Sequence, residues 1–499
     1  MTLSRRILLA SSALLATRPV FAQSPSTLSI GVVSDPVTLD PAFSASFFEA
    51  QVLYNLHETL LVARPDGSVM PGLASYVMKD PLTYAFTLRD GLTFHDGTPL
   101  DAEACRANVA RYVDPATGSI RRSDFGPFKA VTVTGPTTFE ITLTAPYAPL
   151  PLILTNRAGM IVSPTAVQRL GADFATQAVG AGPWKIASWT KNAELVLEKF
   201  PGYWQGARQP FDRLVYRPLP DETVRLANLR SGTLQLIDSV PPQAVAGLAR
   251  ETAIRVSEIP SLGFTAFAFN CTRPPFNDPR VRQAFTAALD PEVVQKVVYF
   301  GTGRVSHGPL SPAVGWAFDE QATGIKPDLG RAKSLLQASG VTTPLPVVIT
   351  VTNSPQMVRI AQTMQAQAGA AGFKVEVRQI DPTSLITVLR QRDFDLCMAP
   401  WSGRYDPDGN TFNYFSKDGP NNFAGWQSDE VTAILQQARS EADPAKRAPL
   451  YHAAQAKIIE AAPMLFVHFD AILQASSAKL RWTQYPDAVF RLYDAKMAS

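Results

Sequence analysis

The chain has 499 residues, of which 46% are hydrophobic and 18% are charged. It carries 46 basic and 43 acidic residues, but Arg5, Arg6 and Arg18 lie in the first 22 residues, so the remainder is balanced at 43 against 43. This balance does not indicate a nucleic-acid or anionic-membrane partner, and this length predicts two or three domains rather than one core.

Residues 1–22, MTLSRRILLASSALLATRPVFA, have the pattern of an export signal. Their apolar stretch is too short to span a bilayer, and small residues precede Gln23, where we expect the mature periplasmic protein to begin. Ser4-Arg5-Arg6 is similar to a twin-arginine signal, although Leu8 and Ala10 depart from the usual pattern, so the Tat and Sec routes both remain open. No later apolar run is long enough for a transmembrane helix.

The first half of the chain predicts an α+β region rich in strands. Its β-prone runs are 27–33, 84–88, 131–134, 138–144, 184–189 and 194–200. Gly135-Pro136 and Lys191-Asn192 supply the turns of two hairpins. Asp101 has the position of an N-cap for a helix that runs to Tyr112.

From about residue 276 the pattern changes to alternating helices and strands. Asp290-Pro291 and Asp443-Pro444 each place an N-cap before a proline at the first helical position. Between these helices, strands at 346–352, 373–380 and 394–401 alternate with helices at 355–371 and 383–392. This βαβαβ order predicts three parallel strands.

The stretch PWSGRYDPDGN, residues 400–410, follows the third of these strands. Ligands of open parallel sheets bind outside the carboxyl ends of the strands, so its aromatic and charged side chains have the position of a binding site. The alternative is a surface turn in which Trp401 packs into the core and Arg404 is solvated.

Catalytic and metal-binding signatures are absent from the sequence. The five histidines show no HExxH pairing, and no GxSxG, GxxxxGK[ST] or strand-linked GxGxxG motif occurs. Cys105, Cys271 and Cys397 lie in apolar contexts typical of core thiols, with a Cys271–Cys397 disulfide as the alternative. We predict a binding protein without catalytic residues, metal or cofactor; an exported hydrolase using Asp406 and Asp408 is the rival hypothesis.

Residues 88–100, LRDGLTFHDGTPL, resemble the signature of the family 5 solute-binding proteins of ABC importers, which include dipeptide, oligopeptide and nickel-chelate binders. Further similar segments occur in the family's order: LDP at 39–41, NLHETL at 55–60, GAGPW at 180–184, YW at 203–204, Asn270, PPF at 274–276, DPRVRQA at 278–284 and AKSLL at 332–336. The resemblance therefore covers nearly the whole chain after the signal.

The resemblance implies an α/β, two-lobed periplasmic-binding-protein fold with an extra N-terminal α+β subdomain. Lobe I would comprise 23–270, with the small subdomain inserted at about 60–180 and the C-terminal segment 475–499 joining it; lobe II would comprise 271–474. Such a receptor captures a peptide or peptide-like solute in the inter-lobe cleft and delivers it to the ABC permease transmembrane subunits. We expect a monomer, and we interpret FHDG at 94–97 as a structural turn.

One departure from the family bears on the solute. Peptide-binding members have an Asp a few residues after a Trp in the segment similar to 401–405, and it pairs with the peptide's α-ammonium, whereas this chain has Arg404. A guanidinium suits a carboxylate or phosphate instead. A non-peptide acidic solute, such as a carboxylated amino-acid or sugar conjugate, is therefore an alternative. Our predicted ligand-binding set is Arg404 for an anionic group, Trp401 and Tyr405 as an apolar wall, Asp406 or Asp408 for an amine, and Ser44 and Phe47.

Overall fold

The computed structural model describes residues 26–498, which form two lobes and a small subdomain. The predicted export signal at 1–22 lies outside the described residues. Within 26–498, no helix combines the length and the apolar character needed to cross a membrane.

The strands confirm the predicted β-prone runs and both predicted hairpins, β6 with β7 and β8 with β9. In chain order they are β1 (Thr27–Val32), β2 (Leu61–Ala63), β3 (Val69–Pro71), β4 (Ala74–Asp80), β5 (Thr83–Leu88), β6 (Phe128–Gly135), β7 (Thr138–Leu143), β8 (Trp184–Thr190), β9 (Glu194–Lys199), β10 (Arg213–Pro218), β11 (Leu236–Ile237), β12 (Ile254–Pro260), β13 (Thr265–Phe269), β14 (Arg304–Val305), β15 (Leu345–Thr352), β16 (Phe373–Ile380), β17 (Leu396–Met398), β18 (Met464–Phe469), β19 (Ala471–Ser477), β20 (Leu480–Arg481) and β21 (Lys496–Met497).

The helices begin where the predicted caps stand. Asp101, Asp290 and Asp443 each accept a hydrogen bond from a backbone N–H of the first turn, which otherwise lacks a partner. In chain order the helices are α1 (Phe47–Leu56), α2 (Ala102–Val113), α3 (Leu150–Ile153), α4 (Pro164–Leu170), α5 (Glu222–Arg230), α6 (Pro242–Leu248), α7 (Pro279–Ala287), α8 (Pro291–Val297), α9 (Leu329–Ser339), α10 (Pro355–Gly369), α11 (Leu385–Gln391), α12 (Asp408–Phe415), α13 (Asp429–Ser440) and α14 (Pro444–Ala461).

Lobe I is built on a seven-stranded mixed sheet in the order β12-β19-β11-β1-β10-β9-β8. Its centre, β1, pairs in parallel with β10 and β11, and the flanking pairs are antiparallel. The small subdomain is a four-stranded antiparallel sheet, β4-β5-β7-β6, packed against α2 over its own apolar core.

Lobe II is built on a six-stranded sheet in the order β14-β18-β13-β17-β15-β16. β15 pairs in parallel with β16 and β17, which confirms the predicted βαβαβ unit. β17 is shorter at both ends than the predicted strand 394–401. At its carboxyl end Pro400 has no N–H to donate, and pairing resumes as a single bridge between Phe264 and Trp401.

The chain crosses between the two large sheets at places that differ from the predicted lobe limits. β13 belongs to the second sheet although the predicted limit of 270 placed it in lobe I, and β19 begins the return to the first sheet at Ala471 rather than at 475. We therefore propose crossovers near residues 261–264 and at Asp470. The sequence does not reveal these places, because an apolar strand such as β13 has the same pattern in either sheet.

The FHDG segment is a turn, as its pattern predicts. The backbone N–H of Gly97 donates to the carbonyl of Phe94, and Gly97 has a φ of 80°, which favours glycine. His95 lies 3.0 Å through Nε2 from the Gly182 carbonyl and ties this turn to lobe I. Cys105, Cys271 and Cys397 are free thiols, so the disulfide alternative is wrong.

Candidate functional site

The segment after β17 turns sharply and enters α12. Gly403 has a φ of 81°, and a Cβ on it would lie 2.1 Å from the backbone carbon of Leu262. The N–H of Asp408 donates to Asp406 Oδ1 over 2.9 Å, and α12 begins at Asp408 with Pro407 as its N-cap. The predicted loop to residue 410 is therefore shorter, because a helix begins inside it.

Asn410 fixes the conformation of this loop. Its Oδ1 accepts from Trp401 Nε1 and from the backbone N–H of Arg404, both over 2.8 Å, and its Nδ2 donates to the Arg404 carbonyl over 2.9 Å. The side chain is fully buried. Sequence reasoning missed this role, since an asparagine in a turn-rich stretch has no distinctive pattern.

The Arg404 guanidinium is partly buried and has no carboxylate partner among the described residues. It lies 4.4 Å from the Trp401 ring centroid, and Nη1 donates to the Gly403 carbonyl over 2.7 Å. Burial lowers the pKa of Arg404, an effect that the nearby Asp124 carboxylate opposes. The structure therefore leaves a pre-positioned cation with unused donors.

A chamber of about 240 Å³ lies beside Arg404, between this loop and the small subdomain. Tyr405, Asp406 and Asp408 also line it, so the structure brings together four of the predicted site residues. Tyr405 is buried, and its hydroxyl has no hydrogen-bond partner among the described residues.

Each carboxylate of the chamber is paired with an arginine. Arg439 donates to both oxygens of Asp408, over 2.9 and 2.8 Å, and Arg447 donates to both oxygens of Asp406, over 3.0 and 2.8 Å. Arg121 lies 3.1 Å from Asp124. The prediction that Asp406 or Asp408 takes an amine is therefore not favoured, because that contact would have to displace a buried bidentate pair.

Arg157 adds to the positive charge near this chamber. It is buried, donates to the Ser46 carbonyl and has no carboxylate partner among the described residues. Burial lowers the pKa of Arg157 to about 10, and the charges of Arg121 and Arg404 act in the same direction. The Nε atoms of Arg121 and Arg157 lack hydrogen-bond partners within the described chain. Sequence reasoning missed both arginines, which lie about 250 to 280 positions before the loop.

A larger cleft of about 520 Å³ lies between the two lobes, on the other side of the loop. Phe47, Trp401 and Tyr299 contribute aromatic surface to it. Its ionisable lining residues are acidic, namely Asp238, Asp470 and Asp487. The predicted Trp401 and Phe47 thus face the cleft, whereas Arg404 faces the chamber.

Ser44 does not belong with the predicted ligand-binding residues, because it lines neither the cleft nor the chamber. It is fully buried, and its Oγ donates to Glu49 Oε2 over 2.8 Å. Glu49 also accepts from the N–H of Ser46, in the capping box that starts α1. Ser44 therefore supports a helix terminus rather than a ligand.

A family model described as bacterial extracellular solute-binding proteins, family 5, middle region, matches residues 68–423. The chain belongs to this family. It is therefore an extracytoplasmic solute-binding protein of an ABC importer, which confirms the resemblance drawn from the FHDG and DPRVRQA segments, and its partners are a solute and the permease subunits. The family consists of receptors rather than enzymes, so the hydrolase hypothesis is not supported.

Curated relatives are similar to the chain over most of its length, and solved structures share its fold. The chain is 27% identical over 483 residues to the glutathione-binding protein GsiB of Shigella flexneri, with 94% of each chain covered. Its fold matches the periplasmic binding protein DppA of Helicobacter pylori in complex with the peptide STSA, with a TM-score of 0.84, 23% identity, and 95% and 98% of the two chains covered. It also matches NikZ of Campylobacter jejuni in complex with Ni(L-His), with a TM-score of 0.82, 22% identity, and 94% and 99% covered.

Proposed function

We propose that this receptor captures a peptide or peptide-like solute that carries a carboxylate, and that Arg404 anchors this carboxylate. One observation carries the proposal. Among the charged side chains that line the chamber, Asp124, Asp406 and Asp408 each have an arginine partner, whereas Arg404 has no carboxylate partner. A guanidinium held ready without a counter-charge favours an anion supplied by the ligand.

The surroundings of Arg404 support the same conclusion. The charge of Arg121 is offset by its partner Asp124, but Arg157, which has no carboxylate partner among the described residues, adds positive charge near Arg404, and a partly buried site screens that charge less than water does. Trp401 holds the guanidinium against its ring, so little side-chain freedom is lost when an anion binds. The site therefore combines charge with pre-organisation.

Glutathione, which the GsiB relatives are named for binding, fits the proposed chemistry. It is a peptide-like molecule with two carboxylates, either of which a guanidinium can bind. A non-peptide acidic solute remains the second candidate, because a contact between Arg404 and a carboxylate does not discriminate between a peptide and another molecule that carries the carboxylate.

Matched pairs of acids and amides test the proposal. We expect glutathione and small peptides with a free C-terminal carboxylate to bind about 10- to 100-fold more tightly than their C-terminal amides, the usual worth of a charge-assisted hydrogen bond. Isothermal titration calorimetry measures both series on the wild-type protein and on Arg404→Gln. In the variant the acid loses this advantage, while the melting temperature without ligand stays close to that of the wild type.

Arg331→Gln is the matched control, since it removes the same charge from the exposed start of α9. It should leave the preference for acids intact. Equal affinity for acids and amides in the wild type would contradict the proposal, as would an unchanged preference in Arg404→Gln. A preference for acidic sugars or acylated amino acids over every peptide would favour the second candidate.

A further inference from the structure

The inter-lobe cleft contains an acid that lacks a lysine or arginine partner. Of the three acids that line it, Asp487 accepts from Arg491 over 3.0 and 2.7 Å, and Asp238 is buried with Arg225 Nε at 3.9 Å. Asp470 forms no ion pair with a lysine or arginine of residues 26–498. Its side chain is 41% exposed, so its carboxylate is open to the cleft.

The fold holds the Asp470 carboxylate in a fixed place. Asp470 lies between β18 and β19, where the chain passes from the second sheet to the first. Thr265 Oγ1 donates to both carboxylate oxygens, over 3.3 and 3.1 Å, and His468 Nδ1 lies 3.0 Å from Oδ1. These contacts orient the carboxylate, and its exposed side leaves it able to accept from a cation.

Asp470 and Arg404 belong to one connected local framework. Thr265, which orients Asp470, directly follows Phe264, and Phe264 exchanges both backbone hydrogen bonds with Trp401. Trp401 lines the cleft on one side and lies beneath the Arg404 guanidinium on the other. Ser402 also lines the cleft, with its Oγ 3.5 Å from Arg404 Nη1. Trp401 and Ser402 therefore place the Arg404 guanidinium directly behind the cleft wall that also holds Asp470.

We infer that Asp470 binds the ammonium group of the solute whose carboxylate Arg404 holds. The inference rests on the proposed function and adds an orientation and a substrate class. The receptor selects solutes with a free amine and a carboxylate at separate ends, and the amine points to the lobe crossover. Because Asp406 and Asp408 already have arginine partners, the loop itself offers no free acid for this role.

The cleft lining near Asp470 suits an ammonium group in two further respects. Its lining includes no lysine, arginine or histidine among the described residues, so no fixed cation repels the group. Tyr299 and Trp401 offer aromatic surface, which attracts cations through the ring quadrupole. The charge without a strong partner is therefore negative in the cleft, where it is Asp470, and positive in the chamber, where it is Arg404.

The test compares free and N-acetylated probes that share the same carboxylate. The probes are glutathione and a panel of di- and tripeptides, each with its N-acetyl form, and calorimetry measures them on the wild type, on Asp470→Asn and on Glu292→Gln. We expect acetylation to weaken binding about 10- to 100-fold in the wild type and in Glu292→Gln, and by less than about 2-fold in Asp470→Asn. Glu292 is a suitable control because it is an exposed acid on α8, and its change alters the net charge equally.

The possible outcomes separate the two claims. If acids are preferred over amides but acetylation changes nothing in the wild type, the proposed function stands and the Asp470 inference is overturned. An equal acetylation effect in the wild type and in Asp470→Asn also overturns the inference. If no probe binds, or acids and amides bind alike, the proposed function fails and the inference fails with it. The wild-type comparison needs no mutation, so poor folding of the variant would not prevent the decision.

Discussion

At the scale of single residues, the informative feature is a charge whose partner is missing. Most buried or half-buried charges near the loop are matched in pairs, such as Asp406 with Arg447 and Asp408 with Arg439. Removing one member of such a pair leaves an uncompensated charge and destabilises the fold, so these residues carry structure. Arg404 and Asp470 differ from them, because the fold orients each without neutralising it by a side chain of fixed opposite charge.

Two histidines at the base of the small subdomain, the buried His57 and the partly buried His95, predict acid sensitivity. His95 Nδ1 accepts from the N–H of Gly180 over 3.3 Å while Nε2 faces the Gly182 carbonyl, a geometry that needs the neutral ring. Burial lowers the pKa of His95 to about 3 and that of His57 to about 4. Both values lie below the ordinary 6.5, so the unfolded chain binds protons first, and the stability present above about pH 6.5 is lost as the pH falls.

We therefore expect the free energy of unfolding to fall between pH 6.5 and 4, with each histidine contributing up to about 1.4 kcal/mol per pH unit. Denaturant titrations at a series of pH values measure this slope. His95→Gln, which keeps a donor for the Gly182 carbonyl, should be less stable at pH 7 but should lose less stability on acidification. Parallel curves for variant and wild type would contradict this explanation.

At the scale of elements, the site depends on a tight approach between two chain segments. Gly403 and Gly263 lie against the backbone of the opposite segment, and a Cβ on Gly263 would lie 1.8 Å from the Trp401 carbonyl oxygen. This contact permits the bridge between Phe264 and Trp401 and aims Arg404 into the chamber.

Gly403→Ala tests that geometry, with Gly97→Ala as its control. The two glycines have φ values of 81° and 80°, but a Cβ on Gly97 meets nothing within 4 Å. Gly97→Ala should therefore cost only the left-handed strain of about 1 to 2 kcal/mol. Gly403→Ala adds a backbone clash, so it should lose more stability and also weaken binding of acidic probes. Equal losses in both variants, measured by denaturant unfolding and calorimetry, would show that the close approach is unimportant.

The sequence predicts local features of these elements well. The caps Asp101, Asp290 and Asp443 act within one turn, so their residue types alone indicate the helix starts. The ion pairs of Asp406 and Asp408 could not be predicted, because their arginines lie 41 and 31 positions away and only the packing of α13 and α14 brings them close.

Asp470 could have been singled out from the sequence. It is an acid between 464–469, which is apolar except for His468, and the apolar run 471–473, and a charge between two buried strands is unusual enough to indicate a site. Motif similarity drew attention to the loop at 400–410 instead. Arg121 and Arg157 carry no comparable signal, since each lies in an ordinary polar turn of the small subdomain.

At the scale of the whole molecule, the cleft lies between the two lobes, and the chamber lies between the 400–410 loop and the small subdomain. The small subdomain contacts lobe II through the N–H of Ala148, which donates to the Arg439 carbonyl over 2.9 Å. A solute that bridges Asp470 and Arg404 adds contacts to the crossover and to the chamber together. Binding should therefore favour a closed arrangement of the lobes.

Small-angle X-ray scattering measures this closure. We expect the radius of gyration of the wild-type protein to decrease when a saturating acidic probe is added. Arg404→Gln should need a probe concentration about 10- to 100-fold higher for the same decrease, because its affinity for the acid is lower by that factor. An unchanged radius in the saturated wild type would show that binding does not close the lobes.

The central claim is that Arg404 holds a carboxylate of the transported solute. Native mass spectrometry of the exported protein, purified without denaturation, tests it directly by weighing and then fragmenting the small molecule that each preparation retains. We predict that the wild type and Arg331→Gln retain a solute with a carboxylate and that Arg404→Gln retains little or none. A retained solute without any acidic group, or equal retention by Arg404→Gln, would contradict the account.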